Sequence, residues 1–377
     1  MVKQFQVPQG SLISFMSNKV KQFGGINFAQ GIPGIDPPGE LLQYVAEVAS
    51  ENVHQYAPGI GNLSLRQEIL THYSHLNYDE SQLLVTQGAT EALSLVMQYL
   101  RYVIHDDFAV MAFDPVYESY KHLPRIFKLP FYAYEKLDFE KEELEQYIQN
   151  NKIRVIFINS PGNPFGYVFS EQQMNDLREV CERNDAYLII DAVYRELWYE
   201  EPIYLPEKEL SVNVFYVNSF SKMLSITGWR IGYLFCHKKH AEVLRDIHDY
   251  IGLCVNAPLQ EALSRYLKSE SFGKMYVERT RKLLKSSYEQ MSNELVNLGY
   301  EVPKAYGGYY VWAKLPDKID GFQFAMNLYE DESVAVIPGM HFSDRANDYL
   351  RFNIARPKNE IAKGIEKVVK FSRQYFS

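Results

Sequence analysis

One lysine follows an apolar stretch of sequence, and its neighbours are able to bind an anion. The segment NSFSKMLSITGWRIG comes directly after a predicted strand at 214–217. A charged lysine at the end of a buried strand is costly, whereas a lysine nitrogen that has formed an imine carries no ammonium into the site. Ser219, Ser221 and Arg230 supply donors that suit a phosphate. Taken alone, Lys222 could be a solvated lysine at a strand end, but its neighbours favour Schiff-base chemistry.

A glycine turn before a helix offers a second place for an anion. The sequence VTQGATEAL predicts a strand, a turn at Gly88 and the start of a helix. Because exposed amides at a helix N-terminus attract anions, Gly88, Ala89 and Thr90 predict a phosphate site, to which Thr90 adds a hydroxyl donor. Thr90 could also be an ordinary helix cap. Its agreement with Ser219 and Arg230 favours the phosphate.

Two further charged side chains occur at apolar runs. Asp191 ends the run LIID, so its carboxylate should either cap a helix or meet a cation. Tyr194 follows three residues later and can share a face with Asp191. Arg351 lies inside the run YLRFNIA, where a buried guanidinium needs a bidentate anion as its partner. A structural ion pair is the alternative for Arg351.

These segments together resemble one enzyme family. The lysine segment is similar to the lysine motif of fold-type I pyridoxal-phosphate enzymes, specifically the class I and II aminotransferases, and the resemblance covers nearly the whole chain. It implies that Lys222 carries pyridoxal 5'-phosphate as an imine. It also implies that Asp191 pairs with the ring nitrogen, which makes the ring an electron sink. Tyr194 and Asn163 would bond the ring's 3-oxygen, although the sequence around Asn163 could be only a turn. We further expect the Asn163–Pro164 bond to be cis.

The same resemblance assigns residues to the ring face, the phosphate and the substrate. Tyr117 would stack on the ring, its alternative being a core tyrosine at a strand end. Tyr56 would reach the phosphate in the neighbouring subunit, which makes the active unit a two-fold homodimer. Arg351 would bind the α-carboxylate of the substrate, with Gly31 and Asn163 beside it. The candidates for the apolar wall of the side-chain pocket are Ile13, Ile32 and Tyr117.

The activity that the resemblance implies is a ping-pong transamination. An amino acid would displace Lys222, and the freed amine would move the Cα proton to the cofactor's exocyclic carbon. A 2-oxo acid leaves, and a second 2-oxo acid receives the amino group. The stretch QGIPGIDPP and residues 247–260 resemble the branch that contains methionine aminotransferase and kynurenine/glutamine transaminase K. We therefore expect methionine, aromatic or glutamine-like substrates. No second arginine is obvious for a side-chain carboxylate, which disfavours aspartate.

Two other functions stay open at this point. A carbon–sulfur β-lyase would use the same cofactor residues as an aminotransferase. A non-enzymatic regulator on this fold would carry a DNA-binding domain, but we find neither an N-terminal helix-turn-helix pattern nor a basic face. The net charge of −8 likewise argues against a nucleic-acid partner.

Composition is that of an ordinary globular protein, with 46% apolar and 23% charged residues. The sequence contains no run of about 18 apolar residues, so we predict no membrane span. The opening MVKQFQVPQG lacks the apolar run of a signal peptide. The three cysteines are far apart, which indicates neither a disulfide framework nor a metal site. We expect a cytoplasmic protein without a metal.

Strands that alternate with helices must position these residues. Apolar runs predict buried strands at 83–86, 108–113, 155–159, 187–190, 214–217 and 233–236. Helical patterns lie between them at 90–100, 118–125, 139–149 and 170–184. This order predicts an α/β fold with a large, doubly wound, mainly parallel sheet. Ligands of such sheets bind beyond the carboxyl ends of the strands.

The C-terminal pattern predicts a second, smaller α+β domain. A chain of 377 residues is too long for one compact core. A long helix at 272–297, strands at 308–312 and 349–354 and a final helix at 359–375 follow the large sheet. We expect the large cofactor-binding domain at 41–280, and a small domain formed by 1–40 plus 281–377.

Overall fold

The computed structural model describes residues 3–204 and 209–376. The strands are β1 (Ile26–Asn27), β2 (Leu83–Thr86), β3 (Ala109–Phe113), β4 (Phe131–Tyr134), β5 (Ile153–Asn159), β6 (Tyr187–Asp191), β7 (Val214–Ser219), β8 (Gly232–Cys236), β9 (Tyr310–Lys314), β10 (Val334–Ala335), β11 (Ile337–Pro338) and β12 (Tyr349–Asn353). The helices are α1 (Leu12–Phe23), α2 (Gly39–Val48), α3 (Leu63–His72), α4 (Gly88–Val103), α5 (Glu118–Ile126), α6 (Lys141–Asn150), α7 (Glu171–Arg183), α8 (Phe220–Met223), α9 (Lys238–Ile251), α10 (Ala257–Ser269), α11 (Lys274–Asn297), α12 (Gly321–Glu332) and α13 (Lys358–Tyr375).

The large sheet has the strand order β2-β8-β7-β6-β5-β3-β4. The pairs from β7 through β4 are parallel, whereas β8 runs antiparallel to both of its neighbours. The predicted α/β class with a mainly parallel sheet is therefore confirmed. Each predicted strand of this sheet is present within two residues of its predicted bounds. The elements that were not predicted are strands β1, β4, β10 and β11 and helices α1, α2, α3, α8, α9, α10 and α12.

The strands of this sheet are apolar throughout because both of its faces are buried. In β6, Leu188 and Ile190 belong to one apolar cluster together with Leu177 of α7. Ile189, which points to the opposite face, belongs to another cluster together with Val96 of α4 and Leu244 of α9. Helices thus cover both faces, and the open edge above the strand ends is left for ligands.

The N-terminal and C-terminal parts of the chain pack together. Strand β1 pairs in parallel with β10, and β9, β12 and β11 form an antiparallel three-stranded sheet. Helices α11, α12 and α13 contact one another or this sheet. These contacts agree with a small unit built from both chain ends, while the boundaries at residues 40 and 280 stay a prediction. The strand predicted at 308–312 begins two residues later, at Tyr310.

One local prediction is wrong. The cis peptide bonds among the described residues are Asp114–Pro115 and Ser160–Pro161, and the Asn163–Pro164 bond is trans. The cis proline of this turn is thus the first of its two prolines. Within residues 3–204 and 209–376, no helix combines the length and the apolar character that a membrane crossing requires.

Candidate active site

Polar side chains converge where the strands of the large sheet end. Thr86 ends β2, Asn159 ends β5, Asp191 ends β6 and Ser219 ends β7, and these four strands point in the same direction. A cavity of about 370 Å³ opens at this edge, a volume within the range of ligand sites, roughly 300–1,000 Å³. Its lining joins this edge to Ile13, Gly31, Tyr310 and Arg351 from the two ends of the chain.

The cavity brings together most of the residues that the sequence singles out. Those that line it are Gly31, Ile32, Ala89, Thr90, Tyr117, Asn163, Asp191, Tyr194, Ser219, Ser221, Lys222, Arg230 and Arg351, together with Ile13 from the predicted apolar wall. Gly88 is not part of this lining but lies against Arg230, which is. Tyr56 is the exception. Its side chain is 82% exposed and lies in a separate surface depression with residues 254–258.

Lys222 is held on a single helical turn that starts at the end of β7. The Ser219 hydroxyl caps this turn by accepting a hydrogen bond from the Ser221 amide at 3.1 Å. The Lys222 ammonium donates to the carbonyl oxygen of Gly31 at 2.6 Å. Burial, followed by the charges of Arg351 and Arg230, lowers the pKa of Lys222 to about 8. The amine is therefore close to a reactive neutral form near physiological pH.

Backbone amides, hydroxyls and a guanidinium meet at the start of α4. A Cβ atom on Gly232 would lie 2.9 Å from the Ala89 nitrogen, and one on Gly88 would lie 2.4 Å from Nη2 of Arg230. Glycine is needed at both places because the strand, the helix start and the guanidinium approach so closely. Arg230 donates to the carbonyl oxygens of Thr227 and Gln87, which fixes it beside the helix N-terminus. This arrangement can bind a phosphate.

Asp191 is a buried carboxylate with two hydrogen-bond donors. Its Oδ2 accepts from the Tyr120 hydroxyl at 2.7 Å, and its Oδ1 accepts from the Val193 amide at 3.3 Å. Burial raises the pKa of Asp191 to about 6, although these two hydrogen bonds and the charge of Lys222 lower it. The site therefore suits a cationic N–H group, which would stabilise the ionised carboxylate.

Two tyrosine hydroxyls lie close together in the lining of the cavity. The Tyr194 hydroxyl lies 2.8 Å from that of Tyr310, and both side chains are buried. Burial, followed by the neighbouring Tyr310, raises the pKa of Tyr194 well above its ordinary value, so the phenol stays protonated. Tyr194 can therefore donate a hydrogen bond to an oxyanion in the cavity.

Arg351 is fully buried at the other end of the cavity. Its Nη1 donates to Oδ1 of Asn163 at 2.8 Å and its Nη2 to the carbonyl oxygen of Ala29 at 2.6 Å, whereas its Nε has no partner among the described residues. Its Cζ lies 4.2 Å from the centre of the Tyr310 ring and 4.7 Å from that of Phe342. A buried guanidinium without a carboxylate partner is arranged to bind an anion.

A second carboxylate, that of Glu118, also lines the cavity. Its Oε2 lies 3.2 Å from Nε2 of His341, and 26% of its side chain is exposed. The neighbouring imidazole of His341 lowers the pKa of Glu118, which favours the ionised carboxylate despite its partial burial.

Several residues of the site were not singled out from the sequence. Tyr120 and Asn159 contact Asp191, Tyr310 contacts both Tyr194 and Arg351, and Glu118 faces the cavity. Tyr120 lies within the first turn of α5 and Tyr310 within an apolar strand, where a tyrosine is ordinarily a core residue. Asn159 ends a predicted strand, and β5 pairs with the strand of Asp191. A polar residue at the end of a buried strand is the signal that could have identified Asn159 from the sequence.

The donor set fits pyridoxal phosphate in charge and chemistry. A phosphate matches the amides and hydroxyls around Arg230, and a protonated ring nitrogen matches the buried carboxylate of Asp191. An aldehyde matches the Lys222 amine, whose pKa is lowered. Asp191 and Lys222 thus have neutral hydrogen-bond partners at most, and the cofactor would supply the charged or covalent partner that each of them suits.

Comparison with known proteins gives a consistent family. The sequence profile described as aminotransferase class I and II matches residues 24–368. An aspartate aminotransferase of Sulfurisphaera tokodaii is 29% identical over 94% of this chain and 91% of its own length. A probable N-acetyl-LL-diaminopimelate aminotransferase of Bacillus subtilis is 26% identical over 92% of this chain and 88% of its own.

A solved structure of an aminotransferase shares the fold of this chain. That of N-succinyldiaminopimelate aminotransferase from Mycobacterium tuberculosis superposes with a TM-score of 0.87 and 25% identity, covering 97% of this chain and 100% of that one. Since the family profile spans most of the sequence and the fold is shared, the chain belongs to the class I and II aminotransferases, which are pyridoxal-phosphate enzymes of fold type I.

Proposed function

We propose that this aminotransferase takes the amino group of a methionine, aromatic or glutamine-like amino acid and passes it to a 2-oxo acid. The observation that carries the proposal is the composition of the cavity. The cationic residues among the described residues that line the cavity are Lys222, Arg230 and Arg351. In this proposal Lys222 binds the cofactor aldehyde, Arg230 the phosphate and Arg351 the substrate α-carboxylate. No further cation of that lining is left for a side-chain carboxylate, while Ile13 and Ile32 supply an apolar wall.

The residues that would hold pyridoxal phosphate are those that meet at the strand ends. Lys222 would bind the aldehyde carbon covalently, and Asp191 would hold a proton on the ring nitrogen. Tyr194 and Asn163 would donate to the ring's 3-oxygen, with Tyr117 against the ring face. The groups around the phosphate would be Gly88, Ala89, Thr90, Ser219, Ser221 and Arg230.

Lys222 is also the residue proposed to move the substrate proton. When bound, the cofactor supplies an electron-withdrawing ring that stabilises the negative charge left on Cα. Nζ of Lys222, with its pKa lowered to about 8, takes that proton as a general base. A pKa near the working pH keeps part of the amine neutral, while its conjugate acid remains able to return the proton.

Arg351 is proposed to orient the substrate. Its planar guanidinium matches a carboxylate bidentately, and its partners Asn163 and Ala29 already fix its direction. Arg351 and Lys222 line the same cavity, and Nζ of Lys222 donates to the carbonyl oxygen of Gly31, another residue of that lining. The substrate's Cα is thereby kept near the base.

We also propose a homodimer in which Tyr56 completes the neighbouring site. The support is that Tyr56 is exposed, lies outside the lining of its own cavity and shares a surface depression with residues 254–258, while Tyr250 and Leu253, just before that segment, are also exposed. Sedimentation of the cofactor-loaded protein should give twice the 43.9 kDa of one chain. A monomer with full activity would contradict this part of the proposal.

A panel of amino acids, scored by conversion of the bound cofactor to its pyridoxamine form, tests the proposed function. We expect conversion with methionine, aromatic amino acids and glutamine, and 2-oxo acid release in proportion. Lys222→Ala is the matched control, and it should lose both the imine absorbance and essentially all turnover. Conversion by aspartate alone would overturn the proposed substrate class. Pyruvate and ammonia release from a cysteine conjugate, without an acceptor, would instead indicate a lyase.

A further inference from the structure

Glu118 is a cavity carboxylate that the proposed chemistry does not use. Among the described residues that line the cavity, the only other carboxylate is Asp191, which the cofactor's ring nitrogen would engage. Glu118 lines the same cavity together with Ile13 and Ile32, the apolar residues proposed to face the substrate side chain. Ser11, two residues before Ile13, also acts on the pKa of Glu118, so this carboxylate lies near the helix that carries Ile13.

The position of Glu118 is fixed by contacts with the C-terminal part of the chain. Nε2 of His341 lies 3.2 Å from Oε2 of Glu118, and the His341 side chain is only 7% exposed. Two residues before Glu118, the amide of Val116 donates to the carbonyl oxygen of Phe342 at 3.0 Å. The Phe342 ring lies 4.7 Å from Cζ of Arg351. Glu118 is thus anchored to the segment that packs against the proposed carboxylate-binding guanidinium.

A glutamate at the first position of a helix is ordinarily explained by the helix dipole. Glu142 of α6 and Glu171 of α7 occupy such first turns and are exposed to solvent. Glu118 differs from them because it lines a cavity and is paired with a buried imidazole. The dipole accounts for its presence in the helix but not for these two features.

We propose that Glu118 determines specificity by selecting amino acids whose side chain ends in a nitrogen donor, either an amide or an ammonium group. An ionised carboxylate only accepts hydrogen bonds, so it binds such donors and repels a distal carboxylate. The inference rests on the proposed function and narrows its substrate class toward the glutamine-like members. It also gives a role to a charged residue of the cavity that the cofactor would not engage.

Glutamine and glutamate form the sharpest pair of substrates for a test, because they have the same shape and differ in the group that Glu118 would meet. The wild-type holoenzyme should favour glutamine in kcat/KM by at least about tenfold, the effect of one hydrogen bond to a charged group. Glu118→Gln should reduce that preference about tenfold or more. Glu118→Asp, which keeps the charge, should retain discrimination against glutamate.

Ornithine and norleucine test the ammonium form of the same chemistry, since ornithine replaces the terminal methyl group of norleucine by nitrogen. Glu118→Gln should lower the ornithine-to-norleucine ratio of kcat/KM. The matched control is Glu142→Gln, a change at an exposed helix start that should leave both ratios as in the wild type. The absorbance of the bound cofactor checks that each variant is folded and loaded.

Ratios within twofold of wild type in a loaded, active Glu118→Gln enzyme would overturn the role of Glu118. That result would leave the proposed aminotransferase function intact, because methionine would still be converted. An enzyme that converts no amino acid of the panel would instead refute the proposed function itself. The two failures are therefore distinguishable.

Discussion

Lys222 should destabilise the protein when the cofactor is absent. Its pKa falls from 10.5 to about 8 in the folded state, which means that burial and two neighbouring guanidinium groups penalise its charged form. At about 1.4 kcal/mol for each tenfold change in the acid constant, this lowering of the pKa corresponds to roughly 3 kcal/mol. Lys222→Met removes that charge while keeping a side chain of similar length. The cofactor-free variant should therefore be up to about 3 kcal/mol more stable than the cofactor-free wild type at pH 7.

The pH dependence of this stability difference shows whether the charge of Lys222 is its cause. Between pH 8 and 10.5 the unfolded chain binds the lysine proton and the folded chain does not, so the stability of the wild type rises with pH in this window. Below pH 8 the whole penalty is present. The gap between variant and wild type should narrow to about 1.5 kcal/mol near pH 9.5. A packing effect of methionine would not change with pH in this way.

Urea unfolding of the cofactor-free proteins at pH 7, 8, 9 and 9.5 measures the difference in unfolding free energy between variant and wild type. The two proteins should show the same dependence of unfolding free energy on urea concentration, which indicates a common unfolded state. The cofactor must be absent because a bound ligand adds its own stabilisation. Lys363→Met, at an exposed position of α13, is the matched control and should show no gap. A gap that is absent, or one that is the same at every pH, would refute the reasoning about Lys222.

Three further variants test other parts of the site. Asp191→Asn should stabilise the cofactor-free protein at pH 7 by up to about 3 kcal/mol. The reason is that the pKa of Asp191 is raised from 3.8 to about 6, so the wild-type folded state loses stability as pH rises through that window. A urea series that shows an equal gap at pH 4 would contradict this. Arg351→Gln should lower kcat/KM by about 100-fold or more, since two hydrogen bonds to a charged group are lost; steady-state kinetics with methionine checks it. Tyr310→Phe should lower kcat/KM about tenfold and shift the pH–rate profile, because Tyr194 loses its hydroxyl partner; an unchanged profile would exclude that role.

The residues that could be predicted are polar ones that interrupt or end an apolar run. Lys222, Asp191 and Arg351 each stand where burial makes a charge costly, so the sequence alone indicates a ligand. The strands that carry them are apolar on both faces and are recognised for the same reason. The direction of β8 could not be predicted, because a strand buried on both faces has no pattern that distinguishes parallel from antiparallel pairing.

The residues that could not be predicted act through contacts between distant segments. Tyr310 reaches Tyr194 across 116 positions, and His341 reaches Glu118 from another part of the chain. Each is unremarkable in its own stretch of sequence. The cis bond was placed at the wrong proline because the turn at 160–166 contains two, and nothing local separates Pro161 from Pro164. The methionine and kynurenine branch stays a prediction, since the relatives named above act on aspartate or diaminopimelate derivatives according to their names.

Lys222 and Asp191 also affect each other, which gives a last prediction. The charge of Lys222 lowers the pKa of Asp191, and the charge of Asp191 raises that of Lys222. Each single variant thus relieves one burial penalty but also removes this attraction, so adding the two gains counts the lost attraction twice. The double variant Lys222→Met, Asp191→Asn should therefore be more stable at pH 7 than the sum of the single gains predicts, by an amount on the order of 1 kcal/mol. Strict additivity in urea unfolding would mean that the two charges do not interact, and that each is held in the cavity by its own surroundings alone.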